Sequence, residues 1–295
     1  MSEKNGNTQM LSAAAAGTIS LGGELTVNRL GFGAMRITGD GIWGPPKDRG
    51  TAIAVLRRAV ELGINFIDTA DSYGPYVSEE LIAEALSPYP KDLVIATKGG
   101  WNRPGPNQWT HDASPAHLRK AVEGSLRRLR LDRIDVYQLH VPDPAIPFNA
   151  SVEALANMQT EGKIRMVALS NVTVEHIKRA SAIVPIVSVQ NRYSFADREW
   201  DNVVDYCERN NIAFIPWFPL GAGTVAGRAL DNVAKTVHAK PIQVALAWLL
   251  KRSPIMLPIP GTSSIAHLEE NVKAASLQLT DHEFTELDAV AAPAA

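Results

Sequence analysis

Ionisable side chains follow three successive apolar runs of the sequence. Asp68 comes after INFI, Lys98 after LVIAT and His140 after VYQL, and Tyr73 follows Asp68 closely. Such runs are typical of buried strands, where charged groups are out of place. Each group alone has a structural explanation, such as an ion pair or a satisfied core histidine. At the ends of neighbouring strands, the four together predict a reactive cluster.

This cluster has the groups needed to reduce a carbonyl. A phenol is a weak acid with a pKa of about 10 in water, and a nearby Lys98 ammonium is expected to lower the pKa of Tyr73. We expect Asp68 to hold Lys98 in its charged form. His140 would then orient a carbonyl oxygen and Tyr73 would protonate it. A Schiff-base aldolase that uses Lys98 is the alternative, but it requires a neutral amine, which Asp68 disfavours.

Carbonyl reduction also needs a hydride donor, which side chains do not supply. Asn171 and Gln190 carry amides that suit the carboxamide of a nicotinamide, and Trp217 offers it an aromatic face. Residues 261–264 precede the last helix of the pattern, whose free N–H groups attract phosphate. The glycine-rich segment 221–227 is a near miss to a dinucleotide fingerprint, and we interpret it as an active-site loop.

An alternation of short apolar runs and amphipathic stretches must position these residues. Between the helical stretches lie eight β-rich runs: LGFGAM, INFIDTA, DLVIATK, IDVYQLH, IRMVALS, IVSVQN, IAFIPWF and IMLPIP. In the stretch 115–130, Leu118, Val122 and Leu126 lie on one helical face. Eight strand–helix units predict an α/β fold of the (β/α)8 TIM-barrel type. An open doubly wound sheet is the alternative.

The N-terminal region and the composition limit the remaining possibilities. TISL and ELTV flank Gly22-Gly23 and predict a short β-hairpin before the barrel. We expect residues 1–16 to be a disordered tail and residues 17–295 to form a single catalytic domain.

A formal net charge of −2 and short apolar runs give no reason to expect nucleic acid or a membrane as partner. A single cysteine suits a reducing compartment, so we expect a cytoplasmic protein. We also expect no metal site.

Two long segments resemble signatures of the aldo-keto reductase superfamily. They are GINFIDTADSYG and SLRRLRLDRIDVYQLH, and the similarity extends from LTVNRLGFGAM to HLEENVKAA. The resemblance implies that Asp68, Tyr73, Lys98 and His140 form a catalytic tetrad and that the cofactor is NADPH. It further implies a coenzyme site that contains Ser170, Asn171, Gln190, Trp217, Leu220, Gly221, Gly261, Thr262, Ser263, His267, Glu270 and Asn271.

Within the superfamily, three segments look most like a bacterial branch that includes pyridoxal reductases. They are GIWGPPKDRGTAIAVLRRA, FIPWFPLG and LPIPGTSSIAHLEEN. Two positions depart from the usual pattern, because Gly261 stands where a lysine is common and His267 where an arginine is common. Both cations commonly meet the 2′-phosphate, so we expect a weaker preference for NADPH over NADH. Potassium-channel β-subunits also resemble this family, which leaves a regulatory, redox-sensing subunit as a second possible function.

Three tryptophans lie in the loops predicted after the first and third strands. Trp43, Trp101 and Trp109 would border the barrel mouth. They are interpreted either as the wall of a substrate pocket for aromatic carbonyls, with pyridoxal as a candidate, or as residues that only pin the loops.

Overall fold

The predicted N-terminal hairpin is present in the computed structural model, which describes residues 11–221 and 228–291. Strands β1 (Thr18–Leu21) and β2 (Leu25–Asn28) pair antiparallel. Gly22 and Gly23 form the turn with φ of 58° and 75°, values that favour glycine. A Cβ on Gly22 would lie 2.9 Å from Val187 Cγ1, so the turn packs tightly against the end of the barrel at which the strands begin.

Seven parallel strands form one curved sheet. They are β3 (Phe32–Gly33), β4 (Phe66–Asp68), β5 (Val94–Gly99), β8 (Ile134–Leu139), β9 (Ile164–Ser170), β10 (Ile186–Arg192) and β11 (Ala213–Trp217). Their spatial order is β3-β4-β5-β8-β9-β10-β11, which is also their order in the chain. This simple order is that of a barrel built from successive strand–helix units.

The eighth predicted strand closes the barrel. Phe214 in β11 exchanges backbone hydrogen bonds with the segment 255–257, its N–H donating to Ile255 O at 2.9 Å and its carbonyl accepting from Leu257 N at 2.9 Å. On the other side, Gly31 N donates to Pro258 O at 3.0 Å. Because prolines lack an N–H, Pro258 and Pro260 limit regular pairing to one bridge. The prediction of a (β/α)8 barrel is confirmed.

Ten α-helices occur among the described residues. They are α1 (Arg49–Glu61), α2 (Val77–Leu86), α3 (Pro115–Leu129), α4 (Phe148–Thr160), α5 (Val174–Ser181), α6 (Asp201–Arg209), α7 (Arg228–Thr236), α8 (Pro241–Arg252), α9 (Ile265–Lys273) and α10 (Asp281–Ala291). Helix α3 begins where its sequence indicates, because Ser114 accepts from His117 N and proline occupies the first turn. Helices α7 and α10 were not among the predicted amphipathic stretches.

The segment 11–16 differs from the expected disordered tail. Ala13–Ala16 forms a 3-10 turn capped by Ser12, and Ala13 N donates to Leu62 O at 2.8 Å. Ala13 is buried in the cluster beneath α1. The expected disorder is therefore wrong for residues 11–16, because a run of small side chains fits closely against the end of α1. Residues 1–10 lie outside the described part of the chain.

A second hairpin, absent from the predictions, follows β5. It consists of β6 (Trp101–Gly105) and β7 (Gln108–His111), which pair antiparallel and stand at the barrel mouth. Among the helices described here, none is both long and apolar enough to cross a membrane.

Candidate functional site

Three of the predicted residues form a hydrogen-bonded cluster at the ends of β4 and β5. Lys98 Nζ donates to Asp68 Oδ1 at 2.6 Å, to Thr69 O at 2.9 Å and to Tyr73 OH at 3.3 Å. Lys98 is fully buried, and Asp68 is nearly so. The three acceptors satisfy the three protons of the ammonium, which is the condition for keeping such a charge in a barrel interior.

Two glutamines hold the other oxygen of Asp68. Gln138 Nε2 lies 2.7 Å and Gln190 Nε2 lies 2.9 Å from Asp68 Oδ2. Gln190 was predicted only as a coenzyme ligand, whereas Gln138 was not predicted at all. A signal for Gln138 existed, because strand residues two apart face the same side and it precedes His140 by two positions in β8.

Burial and charge act in opposite directions on the pKa values of this cluster. Burial alone would lower the pKa of Lys98, but Asp68 and Tyr73 outweigh burial and raise it. Burial raises the pKa of Tyr73, and the Lys98 ammonium only partly opposes the rise. The expected lowering of the Tyr73 pKa is therefore wrong for this structure. Tyr73 keeps its proton at neutral pH, which is the state a general acid requires.

His140 lies beside Tyr73 at the end of β8. Their ring centroids are 5.9 Å apart in an edge-on arrangement, and His140 is buried. Burial, assisted by the Lys98 charge, holds the pKa of His140 well below its usual value. The imidazole is therefore neutral near pH 7 and has one N–H to donate.

The predicted nicotinamide ligands form a chain of hydrogen bonds across β9, β10 and β11. Asn171 Nδ2 donates to His140 O at 2.9 Å and to Ser170 Oγ at 3.1 Å, while Asn171 Oδ1 accepts from Trp217 Nε1 at 3.0 Å. Asn171 has a φ of 57°, and its N–H donates to Gln190 O at 2.9 Å. This left-handed conformation, which asparagine tolerates well, turns its amide back over the strand ends.

One large cavity joins most of the predicted site residues. Its volume is about 1370 Å³. Predicted residues that line it are Asp68, Tyr73, His140, Ser170, Asn171, Gln190, Trp217, Leu220, Gly261, Thr262, Ser263, His267, Glu270, Asn271, Trp101 and Trp109. Lys98 lies beneath the floor. Gly221 is outside this wall and donates its N–H to Phe218 O at 2.9 Å. Residues 222–227 of the expected active-site loop lie outside the described residues.

The cavity wall also contains an arginine, Arg36, that was not predicted as a ligand. A Cβ on Gly261 would overlap the carbonyl oxygen of Gly33, and the nearest side-chain atom would be Arg36 Cγ at 3.7 Å. A lysine therefore does not fit at position 261 without movement of the backbone. The Arg36 guanidinium lies over the Phe218 ring at 5.7 Å. Within residues 11–221 and 228–291, Arg36 has no carboxylate partner.

The hairpin β6–β7 forms the opposite wall. Trp101 stacks on His111 with ring centroids 4.4 Å apart and meets Trp109 edge-on at 5.8 Å. Trp43 does not line the cavity; its ring lies 5.6 Å from the Arg103 guanidinium. Arg103 also stacks on Trp109 at 3.7 Å. Of the three predicted tryptophans, the structure places two in the wall and the third behind it.

The fold and the buried cluster define the class of protein. A (β/α)8 barrel that holds ionisable side chains at its strand ends, below a large cavity, is typical of barrel enzymes, whose sites lie at that end of the barrel. Residues 29–292 match the model of the aldo/keto reductase family. The chain belongs to this family.

Relatives and solved structures agree with this assignment. An uncharacterized oxidoreductase of Schizosaccharomyces pombe is 53% identical over 287 residues, which cover 97% of this chain and 93% of the relative. Pyridoxine 4-dehydrogenase of Escherichia coli is 47% identical over 283 residues, 94% of this chain and 99% of that protein. An aldo/keto reductase from Klebsiella pneumoniae, solved with NADP and acetate, is 27% identical with a TM-score of 0.80, covering 94% and 96% of the two chains.

The depressed pKa of His140 predicts how stability depends on pH. As the pH falls below about 6.5, the unfolded chain binds a proton that folded His140 does not accept, so His140 costs up to about 1.4 kcal/mol of unfolding free energy per pH unit. The variant His140→Gln should lack this loss. Denaturant unfolding of both proteins between pH 7.5 and 5 measures the difference. Parallel curves for the two proteins would contradict a buried, neutral His140.

Proposed function

We propose that this enzyme reduces an aldehyde to an alcohol with NADPH, and that Tyr73 is the general acid. The observation that carries the proposal is the bridging position of Lys98, which contacts both Asp68 and Tyr73 beside a neutral His140. Such an arrangement offers a proton and a hydrogen-bond donor to one oxygen atom. It also provides a fixed positive charge next to the phenol that gives up the proton.

Each of the four residues has its own role in the proposed reaction. His140 donates a hydrogen bond to the carbonyl oxygen and orients it. Tyr73 transfers its proton to that oxygen as negative charge develops there, while the carbonyl carbon accepts hydride, which the bound coenzyme supplies. Lys98 stabilises the phenolate that remains, and Asp68 fixes Lys98. The products are an alcohol, an oxidised coenzyme and a deprotonated Tyr73 that regains its proton from solvent.

The cavity has the features that NADPH requires. Trp217 and the Asn171 amide lie at the strand ends, where a nicotinamide would meet the cluster. Arg36, Thr262, Ser263 and His267 line the same cavity and offer donors to phosphate groups. Gly33 and Gly261 also line the cavity, and their close approach leaves backbone rather than side chains at this part of the wall. The Klebsiella pneumoniae relative that was solved with NADP supports this coenzyme.

Of the two alternative functions, the site disfavours the aldolase and is compatible with the regulatory subunit. A Schiff-base aldolase would need an accessible, neutral Lys98, whereas this lysine is fully buried and its pKa is raised. A redox-sensing regulatory subunit would retain the same cluster and coenzyme site. Steady turnover of an aldehyde separates the enzyme from that subunit.

An aromatic aldehyde is the substrate class that the wall favours. Trp101 and Trp109 line the cavity, and the Trp101 ring meets that of His140 edge-on with centroids 6.4 Å apart. Asn107 and His111 add polar groups from the same hairpin. A heteroaromatic aldehyde with polar substituents matches this combination. The name of the Escherichia coli relative, pyridoxine 4-dehydrogenase, makes pyridoxal the first compound to test.

Replacement of Tyr73 tests the general-acid role. Tyr73→Phe removes the proton donor and keeps the ring, so kcat for pyridoxal reduction should fall about 10²–10⁴-fold. The Kd of NADPH, measured by fluorescence titration, should change less than threefold because Lys98 and Asp68 remain paired. A variant that keeps more than half of the wild-type kcat would exclude Tyr73 as the acid.

Replacement of a wall tryptophan tests the substrate class. Trp101→Leu should lower kcat/KM for pyridoxal about tenfold and leave that for propanal nearly unchanged, because only the aromatic compound loses a stacking surface. Trp43→Leu is the matched control, since Trp43 does not line the cavity. If propanal is the better substrate of the wild type, or if both variants change both substrates equally, the aromatic pocket is wrong.

Coenzyme titrations test the cations of the phosphate end. Arg36→Gln should weaken NADPH about tenfold or more through loss of charge-assisted hydrogen bonds. His267→Ala should weaken NADPH more than NADH, because it removes a hydrogen-bond donor from the cavity wall beside Thr262 and Ser263. Kd values for both coenzymes provide the measurement, with Arg127→Gln as a control outside the cavity. Wild-type protein that binds NADH as tightly as NADPH would overturn the NADPH assignment.

A further inference from the structure

We infer that Ser72 is a positioning residue for His140. Its hydroxyl donates to His140 Nδ1 and so keeps the imidazole proton on Nε2, the nitrogen that faces the substrate oxygen. The inference rests on the proposed function, because it gives His140 the task of a hydrogen-bond donor in carbonyl reduction. Ser72 precedes Tyr73 in the short loop after β4 and had no predicted role.

The contact occurs in a buried setting. Ser72 Oγ lies 3.4 Å from His140 Nδ1, and both residues are at least nine-tenths buried. It is the one side-chain hydrogen bond to the His140 ring within the residues that the structure describes. A contact of this length before substrate binds is usual, since catalytic hydrogen bonds often tighten only in the complex.

Only one direction of this hydrogen bond permits the reaction. A neutral imidazole has one N–H and one lone pair. If His140 donated from Nδ1 to Ser72, Nε2 would present its lone pair to the carbonyl oxygen and repel it. If Ser72 donates, Nδ1 is the acceptor and Nε2 carries the proton that stabilises the developing oxyanion. A hydroxyl can rotate to donate, and burial away from water leaves it few other acceptors.

The backbone of Ser72 is fixed independently of the hydroxyl. Arg103 Nη1 donates to Ser72 O at 2.9 Å and to Ile42 O at 3.0 Å, and Arg103 Nε donates to Gln108 O at 3.0 Å. Asp71 N, one residue earlier, donates to Lys98 O at 3.2 Å. Two consecutive residues thus act on the carbonyl oxygen of the substrate. Tyr73 protonates it, and Ser72 acts on it through His140.

A matched pair of variants tests the inference. Ser72→Thr and Ser72→Val have nearly the same volume and differ in a hydroxyl against a methyl. We expect Ser72→Val to lose about 5–50-fold in kcat relative to Ser72→Thr, with equal NADPH Kd values in both. Ser72→Ala, which adds no volume, should behave like Ser72→Val and covers the case in which the added methyl disturbs folding. Equal kcat values for the Thr, Val and Ala variants would overturn the inference.

Nitrogen-15 NMR gives a readout that does not depend on turnover. The chain has seven histidines, and the signals of His140 are those lost in His140→Gln. In the wild type and Ser72→Thr, Nδ1 should have the shift of a hydrogen-bonded acceptor and Nε2 that of a protonated nitrogen. In Ser72→Val the Nδ1 shift should move toward that of a free lone pair or a mixed tautomer.

The two readouts separate the possible failures. Unchanged shifts in Ser72→Val would refute the hydrogen bond even if the enzyme is active. An inactive wild type with the expected shifts would refute the proposed reaction and retain the role of Ser72 in setting the tautomer.

Discussion

The buried ion pair between Lys98 and Asp68 is the interaction on which the candidate active site depends. Removing two charges from water is costly, and the attraction within the pair offsets that cost only when the remaining donors and acceptors are satisfied. Here Thr69 O and Tyr73 OH accept the other two hydrogen bonds of the Lys98 ammonium. Gln138 and Gln190 donate to the second oxygen of the Asp68 carboxylate. The partners come from β4, β5, β8 and β10 and the loop after β4, so the pair constrains half of the barrel as well as tuning Tyr73.

The groups proposed to react and the residues proposed to bind the substrate lie on different elements of the fold. The reacting groups lie at the ends of strands or in the short loop after β4, whose backbone is pinned by hydrogen bonds to Ala96 O and Lys98 O. The aromatic wall is instead carried by the hairpin β6–β7. Arg103 fastens that hairpin to the loops that precede α1 and α2, and it stacks on Trp109 at the same time. Substitutions in the hairpin could therefore alter the substrate while leaving the ion pair untouched.

A backbone contact in the cavity wall, between Gly33 and Gly261, determines which nearby side chain carries a charge. Gly33 and Gly261 approach so closely that neither position accepts a Cβ without a backbone shift. This approach helps to close the barrel between β3 and the segment that follows α8. It also leaves no room for a lysine at position 261 without a backbone shift. The cation beside this position is instead that of Arg36, whose Cγ would lie 3.7 Å from a Cβ on Gly261.

The sequence alone determined the barrel and the four residues of the cluster. Alternating periodicity, a glycine turn and polar residues at strand ends are local signals, and each follows from backbone geometry or burial. Helices α7 and α10 also carry local signals, which were missed. In α7, Leu230, Val233 and Ala234 are buried at helical spacing. At the start of α10, Thr280 and Glu283 form a capping box, a pattern of Thr followed three residues later by Glu. Only the tertiary structure could decide that Tyr73 has a raised pKa, that Arg36 lies beside Gly261 and that Ser72 contacts His140. These facts depend on burial and on distances between residues far apart in the chain, and no local pattern of residue types encodes them.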